Sequence, residues 1–183
     1  MRGRLELSGP ATSLSVAPQE GLAVVAGREV LRLISYSDDG LADKLDLLAH
    51  SRKTPHLSSN DVKWRPQHAS QVVTGATSGA VLIWDTAKRG DCLVRTLGFH
   101  QRTVNALAFL EREPNKLLSA SMDKTVRLWD VGQRLAQQQQ VFSMPSEVRD
   151  VQFSKVSSTR FAVALENGMI QAPSPQRLHA GAS

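Results

Sequence analysis

The sequence has few cysteines and no long apolar run, features that several classes of protein require. It has one cysteine, Cys92, which excludes an internal disulfide and a zinc site built from Cys-x-x-Cys pairs. It also favours a reducing, intracellular compartment. No apolar run approaches the roughly 18–20 residues that a membrane span needs. The first residues are polar and lack the apolar segment of a secretory signal. These absences favour an intracellular protein without a membrane span.

Basic residues outnumber acidic ones, giving a formal charge of +5 and a pI of 9.8. This excess raises a nucleic-acid or chromatin-associated module as an alternative function. The basic residues occur singly or in pairs, such as Lys88-Arg89, and form no run of five or more. Aromatic residues make up only 5% of the chain, too few to supply a stacking platform for bases. Nucleic acid is therefore not the favoured partner.

Short apolar segments separated by turns predict β-strands along most of the chain. Leu117–Ser121 and Val126–Val131 form the clearest pair, and Asp123-Lys124 between them predicts a tight turn. Arg4–Leu7 alternates like a short strand. Leu41–Leu48 fits either a helix or a strand followed by a loop, and the surrounding strand pattern favours the strand.

The strand pattern repeats along the sequence. Trp129 follows Trp84 by 45 residues, Phe109 follows Trp64 by 45, and Phe153 follows Phe109 by 44. Four short strands within each period predict one blade of an all-β propeller. The sequence thus predicts blades at about 4–48, 56–97, 100–142 and 146–171, and a disordered tail at 172–183.

The last predicted blade is incomplete. Its third strand begins near Ile170, but Pro173 and Pro175 follow at once, and two prolines so close together cannot continue a paired strand. The chain thus supplies about three and a half blades. Such an open array exposes edge strands, which makes self-association through open blade edges an expectation.

The polar residues of the third blade resemble the WD-repeat family, through His100, Ser119, Asp123 and Trp129-Asp130. The resemblance implies a partial WD-repeat β-propeller of four-stranded antiparallel blades. It also implies a structural hydrogen-bond network in which Trp129 donates to Ser119, and His100 bonds Ser119 and Asp123. The second blade keeps Trp84-Asp85, but His56 lies one residue out of phase. We therefore expect that blade to lack the complete network.

The same residues permit a competing interpretation, a hydrolase triad of Ser119, His100 and Asp123. A nucleophilic serine is commonly exposed on a strained turn flanked by glycines, whereas Ser119 lies mid-strand between Leu118 and Ala120. The sequence therefore predicts no catalytic residue. It also predicts no cofactor-binding or metal-ligating residue, since the histidines lack metal-ligand spacing and no phosphate-binding glycine loop occurs.

A set of segments in one order also resembles the N-terminal propeller of a WD-repeat and RING-bearing subunit of the GATOR complex: Val24–Arg28, Asn60–Trp64, His100–Asn105, Ser146–Ser154 and Glu166–Gly168. This resemblance implies a non-catalytic scaffold that binds protein subunits of a complex relaying amino-acid supply to TOR complex 1. It implies a cytoplasmic location, including the lysosomal surface. The repeat phase places candidate partner-face residues at one end of the channel: Arg102, Met122, Glu147 and Glu166.

Overall fold

The computed structural model describes residues 3–18, 21–51, 54, 56–133, 137–157 and 160–173. Its fifteen strands form four antiparallel sheets, which we call blades 1 to 4. The all-β prediction is confirmed. Among the described residues, no helix could cross a membrane.

Each blade is a meander in which consecutive strands pair. The strands of blades 1 and 2 are β1 Ala11–Val16, β2 Leu22–Gly27, β3 Val30–Ser37, β4 Gly40–Asp46, β5 Ser59–Trp64, β6 Gln71–Ala76, β7 Ala80–Asp85 and β8 Leu93–Phe99. Those of blades 3 and 4 are β9 Val104–Leu110, β10 Glu113–Ser121, β11 Thr125–Asp130, β12 Gln137–Ser143, β13 Val148–Phe153, β14 Phe161–Leu165 and β15 Ile170–Gln171. Blade 4 has three strands within the described residues.

Two ambiguous segments of the sequence have clear structures. Gly40–Asp46 is a strand, as the surrounding pattern favours. Arg4–Leu7 forms no strand, contrary to its alternating pattern. Instead, Leu5 and Leu7 pack against apolar residues of blade 1, so one side of the segment is half-buried without a backbone ladder. Residues 174–183, most of the predicted tail, lie outside the described residues.

The blades pack face to face through three apolar clusters. One joins blades 1 and 2 and contains Trp84, another joins blades 2 and 3 and contains Trp129, and a third joins blades 3 and 4 and contains Phe161. Fully burying one such side chain contributes about 1.5–3 kcal/mol before opposing costs. The faces between consecutive blades therefore form the core, and the array is open.

The turn between the second and third strands keeps its backbone conformation in blades 2, 3 and 4. Gly79, Lys124 and Gly168 stand at the same turn position and have φ of 91°, 65° and 82°. A Cβ atom at position 79 would also lie 2.2 Å from the carbonyl oxygen of His100. This turn therefore fixes the loop that carries His100.

Candidate functional site

Blade 3 contains a chain of buried polar side chains, two from strands β10 and β11 and two from the segments that precede β9 and β11. The indole Nε1 of Trp129 donates to Ser119 Oγ at 2.8 Å. Ser119 Oγ lies 2.7 Å from His100 Nε2, and His100 Nδ1 lies 2.9 Å from an Asp123 carboxylate oxygen. The structure thus brings together the four residues that the sequence assigns to the network.

Asp123 forms the outer end of this chain. Its carboxylate accepts the backbone N–H of Gln101 at 3.0 Å and the hydroxyl of Thr125 at 2.6 Å. Burial alone would raise the pKa of Asp123, but these hydrogen bonds and His100 lower it. The carboxylate is therefore ionised at neutral pH and holds the loop beside His100.

His100 is almost fully buried. Burial lowers the pKa of His100, and the attraction of Asp123 opposes this effect only in part. The ring is therefore neutral near pH 7. The consistent arrangement has Nδ1–H donating to Asp123, while Nε2 accepts the hydroxyl hydrogen of Ser119. Each polar atom in the chain then has a partner.

These distances resemble a catalytic triad, but the burial of Ser119 argues against catalysis. Ser119 has 0% of its surface exposed, and its oxygen already accepts the indole N–H of Trp129. A substrate carbonyl cannot reach an oxygen in that position, whereas a nucleophile must contact its substrate. Cys92 is buried too, and burial raises the pKa of its thiol, which weakens it as a nucleophile.

Blade 2 has a shorter version of this hydrogen-bond chain. It uses Thr74, a residue that the sequence analysis did not assign. Trp84 Nε1 donates to Thr74 Oγ1 at 2.9 Å, and both residues are fully buried. Thr74 precedes Trp84 by ten residues, as Ser119 precedes Trp129, so the spacing could have identified it. His56 lies elsewhere, exposed and 3.7 Å from a carboxylate oxygen of Glu29.

Asp61 on β5 is a second residue that the sequence reasoning missed. One carboxylate oxygen accepts the hydroxyl of Ser13 in blade 1 at 2.7 Å. The other accepts the backbone N–H of Leu107 in blade 3 at 2.9 Å. Lys63 lies 3.1 Å away as a charge partner. A single carboxylate thus joins three blades.

The candidate partner-face residues lie together at one end of blades 3 and 4. Arg102 pairs with Glu147 and donates to the carbonyl oxygen of Met122 at 3.3 Å. Arg149 continues the series, because it pairs with both Glu147 and Glu166. We call these five residues the charged face. About half of the Arg102 and Glu166 side chains is exposed.

The charges on this face alternate in sign instead of forming a basic patch. Such an arrangement fits a protein surface of complementary charge better than a phosphate backbone, which attracts clustered Lys and Arg. Within the described ranges, no group of three or more His, Cys, Asp or Glu side chains is arranged to hold a metal ion.

Comparison with known proteins gives a family match and relatives that are longer than this chain. The family model "WD domain, G-beta repeat" matches residues 91–130. GATOR2 complex protein WDR24 of Danio rerio is 34% identical over 167 residues, covering 90% of this chain and 21% of the relative. The Homo sapiens protein of that name is 34% identical over 170 residues, with the same two coverages. The chain therefore spans about a fifth of the length of the curated relatives that it matches.

Solved structures match over nearly the whole chain. A chain of the COPII outer coat vertex on membranes is covered over 48% of its length, with a TM-score of 0.81, 22% identity and 97% of this chain aligned. The computationally designed Ika4 protein is covered over 93% of its length, with a TM-score of 0.69, 19% identity and 92% of this chain aligned. At identities of 22% and 19%, these matches show the fold alone.

Proposed function

The chain is a WD-repeat protein, and we propose that it acts as a non-catalytic scaffold for protein subunits of a GATOR2-type complex in amino-acid signalling to TOR complex 1. The observation that carries the proposal is 34% identity to two WDR24 proteins over 90% of this chain. Because the chain corresponds to about a fifth of those relatives, the proposal concerns the propeller portion alone.

Two features of the structure support a scaffold function: the blades are held in fixed positions, and the charged face is partly exposed. The buried chain from Trp129 to Asp123 and the inter-blade bonds of Asp61 hold the blades in fixed positions. A rigid support lowers the entropy lost when a partner binds. The charged face lies on this support, where Arg102 and Glu166 remain half exposed.

The proposed location is the cytoplasm, including the lysosomal surface. Recruitment there would depend on protein partners of the complex, with the charged face as the proposed contact. Rim charges of this kind mainly determine which partner binds and how fast it associates.

The test is co-expression of the tagged chain with the other GATOR2 subunits from the same organism, followed by affinity purification. We expect the wild-type chain to recover at least one subunit, and failure to recover any would reject the scaffold function. Arg149→Glu should reduce recovery, because it places a third negative charge between Glu147 and Glu166. Arg89→Glu is the matched control, since Arg89 is exposed in the loop between β7 and β8.

Binding to a labelled DNA duplex distinguishes the scaffold function from the alternative, a nucleic-acid or chromatin-associated module. A nucleic-acid module would bind the duplex and lose affinity steeply between about 50 and 200 mM salt. We expect weak binding at both salt concentrations.

If Arg149→Glu and Arg89→Glu both bind the subunits normally, the scaffold function stands and the contact lies outside the charged face.

A further inference from the structure

The residue that follows the second strand of each blade makes the same backbone hydrogen bond in all four blades. In blades 2, 3 and 4, the N–H groups of Thr77, Met122 and Glu166 each donate, at 2.9 Å, to the carbonyl oxygen of the residue before their blade's first strand. In blade 1, the N–H of Arg28 donates to the carbonyl oxygen of Pro10 at 3.1 Å. Arg28 therefore lies at the same end of its blade as Met122 and Glu166 of the charged face.

Arg28 differs from the arginines of the charged face in its pairing. Arg102 pairs with Glu147, and Arg149 pairs with both Glu147 and Glu166. The side chain of Arg28 is exposed. Its guanidinium makes no ion pair or hydrogen bond within the ranges that the structure describes. The positive charge of Arg28 is therefore available to a ligand.

Arg28 lines a pocket of about 380 Å³ between blades 1 and 2. The other described residues that line this pocket are polar and neutral: Thr12, Ser58, Ser59, Asn60 and Thr77. Glu29, the acidic neighbour of Arg28 in the sequence, lies outside this lining, and its carboxylate is 3.7 Å from His56. The described lining thus carries one positive charge, which suits a ligand with a single anionic group.

The pocket lining also includes a buried hydroxyl group with an unused donor. Ser59 is 2% exposed, and its Oγ makes no hydrogen bond within the part of the chain that the structure describes. Two neighbouring hydroxyls do have partners. Thr12 donates to the Ser59 carbonyl oxygen at 2.7 Å, and Thr77 donates to the Ser58 carbonyl oxygen at 3.3 Å. A buried polar group without a partner is unfavourable, and a ligand oxygen in the pocket can accept this hydroxyl hydrogen.

Two side-chain amides connect the pocket to the charged face. The amide nitrogen of Asn60, which lines the pocket, donates to Asn105 Oδ1 at 3.3 Å. The amide nitrogen of Asn105 donates to the carbonyl oxygen of Val148 at 2.7 Å, and Val148 lies between Glu147 and Arg149 in the sequence. A partner that binds across the charged face therefore has this pocket beside it.

We propose that this pocket binds the carboxylate of a Glu or Asp side chain in an acidic segment of a protein partner. Arg28 pairs with the carboxylate through the two parallel hydrogen bonds that a guanidinium forms with such a group, and the Ser59 hydroxyl donates to it. One arginine among neutral walls matches an isolated negative charge, whereas a nucleic-acid backbone attracts clustered cations. The inference rests on the proposed scaffold function, because it names the group of the partner that the scaffold receives.

Two labelled peptides test the pocket on the 183-residue chain without any other subunit. One peptide carries glutamates separated by serine and glycine, and in the other every glutamate is replaced by glutamine. By microscale thermophoresis, we expect the glutamate peptide to bind with a Kd of about 0.1–1 mM and the glutamine peptide to bind about tenfold more weakly. Arg28→Gln should weaken binding of the glutamate peptide by about tenfold, because it removes the charge-assisted hydrogen bonds.

Arg89→Gln is the matched control, because it removes the same charge from an exposed position in the loop between β7 and β8. It should bind the glutamate peptide like the wild type. Ser59→Ala should fold normally, since the hydroxyl has no hydrogen bond to lose among the described residues, and should bind about threefold more weakly. Circular dichroism should show that all three variants fold.

Three results would contradict the proposal. Equal binding of the two peptides by the wild type, or equal binding of the glutamate peptide by the wild type and Arg28→Gln, would overturn the carboxylate site. Unchanged binding by Ser59→Ala would overturn the hydrogen bond assigned to Ser59. A phosphoserine peptide that binds more tightly than the glutamate peptide would overturn the choice of a carboxylate.

Co-purification with the other subunits distinguishes failure of this inference from failure of the scaffold function. If the wild-type chain recovers a subunit but binds neither peptide, the scaffold function stands and the carboxylate site is rejected. If the wild-type chain recovers no subunit but binds the glutamate peptide through Arg28, the carboxylate site stands and the scaffold function is rejected.

Discussion

The carboxylate of Asp61 in blade 2 accepts the backbone N–H of Leu107 in blade 3 at 2.9 Å. The same carboxylate accepts the Ser13 hydroxyl from blade 1, so one side chain links strands β1, β5 and β9. Asp61 is only 6% exposed, and a buried carboxylate is stable only when it is paired and hydrogen-bonded.

Replacing Asp61 with alanine should destabilise the protein. The change leaves the N–H of Leu107 without its acceptor, and an unsatisfied buried group costs about 1–3 kcal/mol. Urea unfolding followed by tryptophan fluorescence measures the loss. Asp150→Ala is the matched control, since Asp150 has the same strand position but is exposed. Its effect should stay within about 0.5 kcal/mol, and equal losses in both variants would contradict the role assigned to Asp61.

Much of the blade architecture could be predicted because it repeats. The 45-residue spacing places Trp84 and Trp129 in equivalent strands, and both are buried where the repeat predicts. Strand ends were less predictable. β10 begins at Glu113, four residues before the apolar run at Leu117, because Glu113 pairs with Leu110 of β9 across an irregularity in the register.

Asp61 could not be identified from the sequence, and the reason is physical. Its partners Ser13 and Leu107 lie 48 and 46 residues away, and a charged residue beside Val62 in an alternating strand usually indicates a solvent-facing position. The equivalent residue in blade 3 is Ala106, so the repeat gives no signal there either. Only the packing of three blades shows that this carboxylate is buried.

His100→Ala should lower the melting temperature. It removes the acceptor of the Ser119 hydroxyl and a donor to Asp123, and each orphaned buried group costs about 1–3 kcal/mol. For a protein of this size, each kcal/mol corresponds to about 2–4 °C. Differential scanning calorimetry gives the shift. His56→Ala is the control, because the His56 side chain is 84% exposed. A melt unchanged by His100→Ala would count against the network.

Stability should fall as the pH is lowered below about 6.5, the ordinary pKa of histidine. Because burial lowers the pKa of His100, the unfolded chain takes up a proton before the folded chain does. The unfolded state then binds more protons, so stability decreases with falling pH until the pH passes the folded pKa. Burial lowers the pKa of His68 as well, which adds to the same trend.

Melting temperatures at about pH 7.5 and pH 5.5, on either side of the ordinary histidine pKa, test this dependence. His100→Gln should show a smaller fall than the wild type, because glutamine does not titrate. His56→Gln is the matched control at an exposed position. The interpretation is wrong if the His100 variant and the wild type fall equally.

Thr74→Val and Ser119→Ala should differ in cost according to the number of buried groups that each leaves unpaired. Valine has nearly the shape of threonine, so Thr74→Val removes the acceptor of Trp84 Nε1 while keeping the packing. One orphaned donor costs about 1–3 kcal/mol. Ser119→Ala leaves two unpaired groups, the indole N–H of Trp129 and the Nε2 of His100, and should cost more.

Thr74→Ser provides the matched control, because serine keeps the hydroxyl acceptor and loses only a methyl group. The expected order of destabilisation in urea is Ser119→Ala, then Thr74→Val, then Thr74→Ser. That order would mean that the complete polar chain stabilises blade 3 because an incomplete one is destabilising. A partly satisfied buried network is worse than an apolar core. If Thr74→Val is as stable as the wild type, the Trp84 bond adds nothing and packing alone holds blade 2.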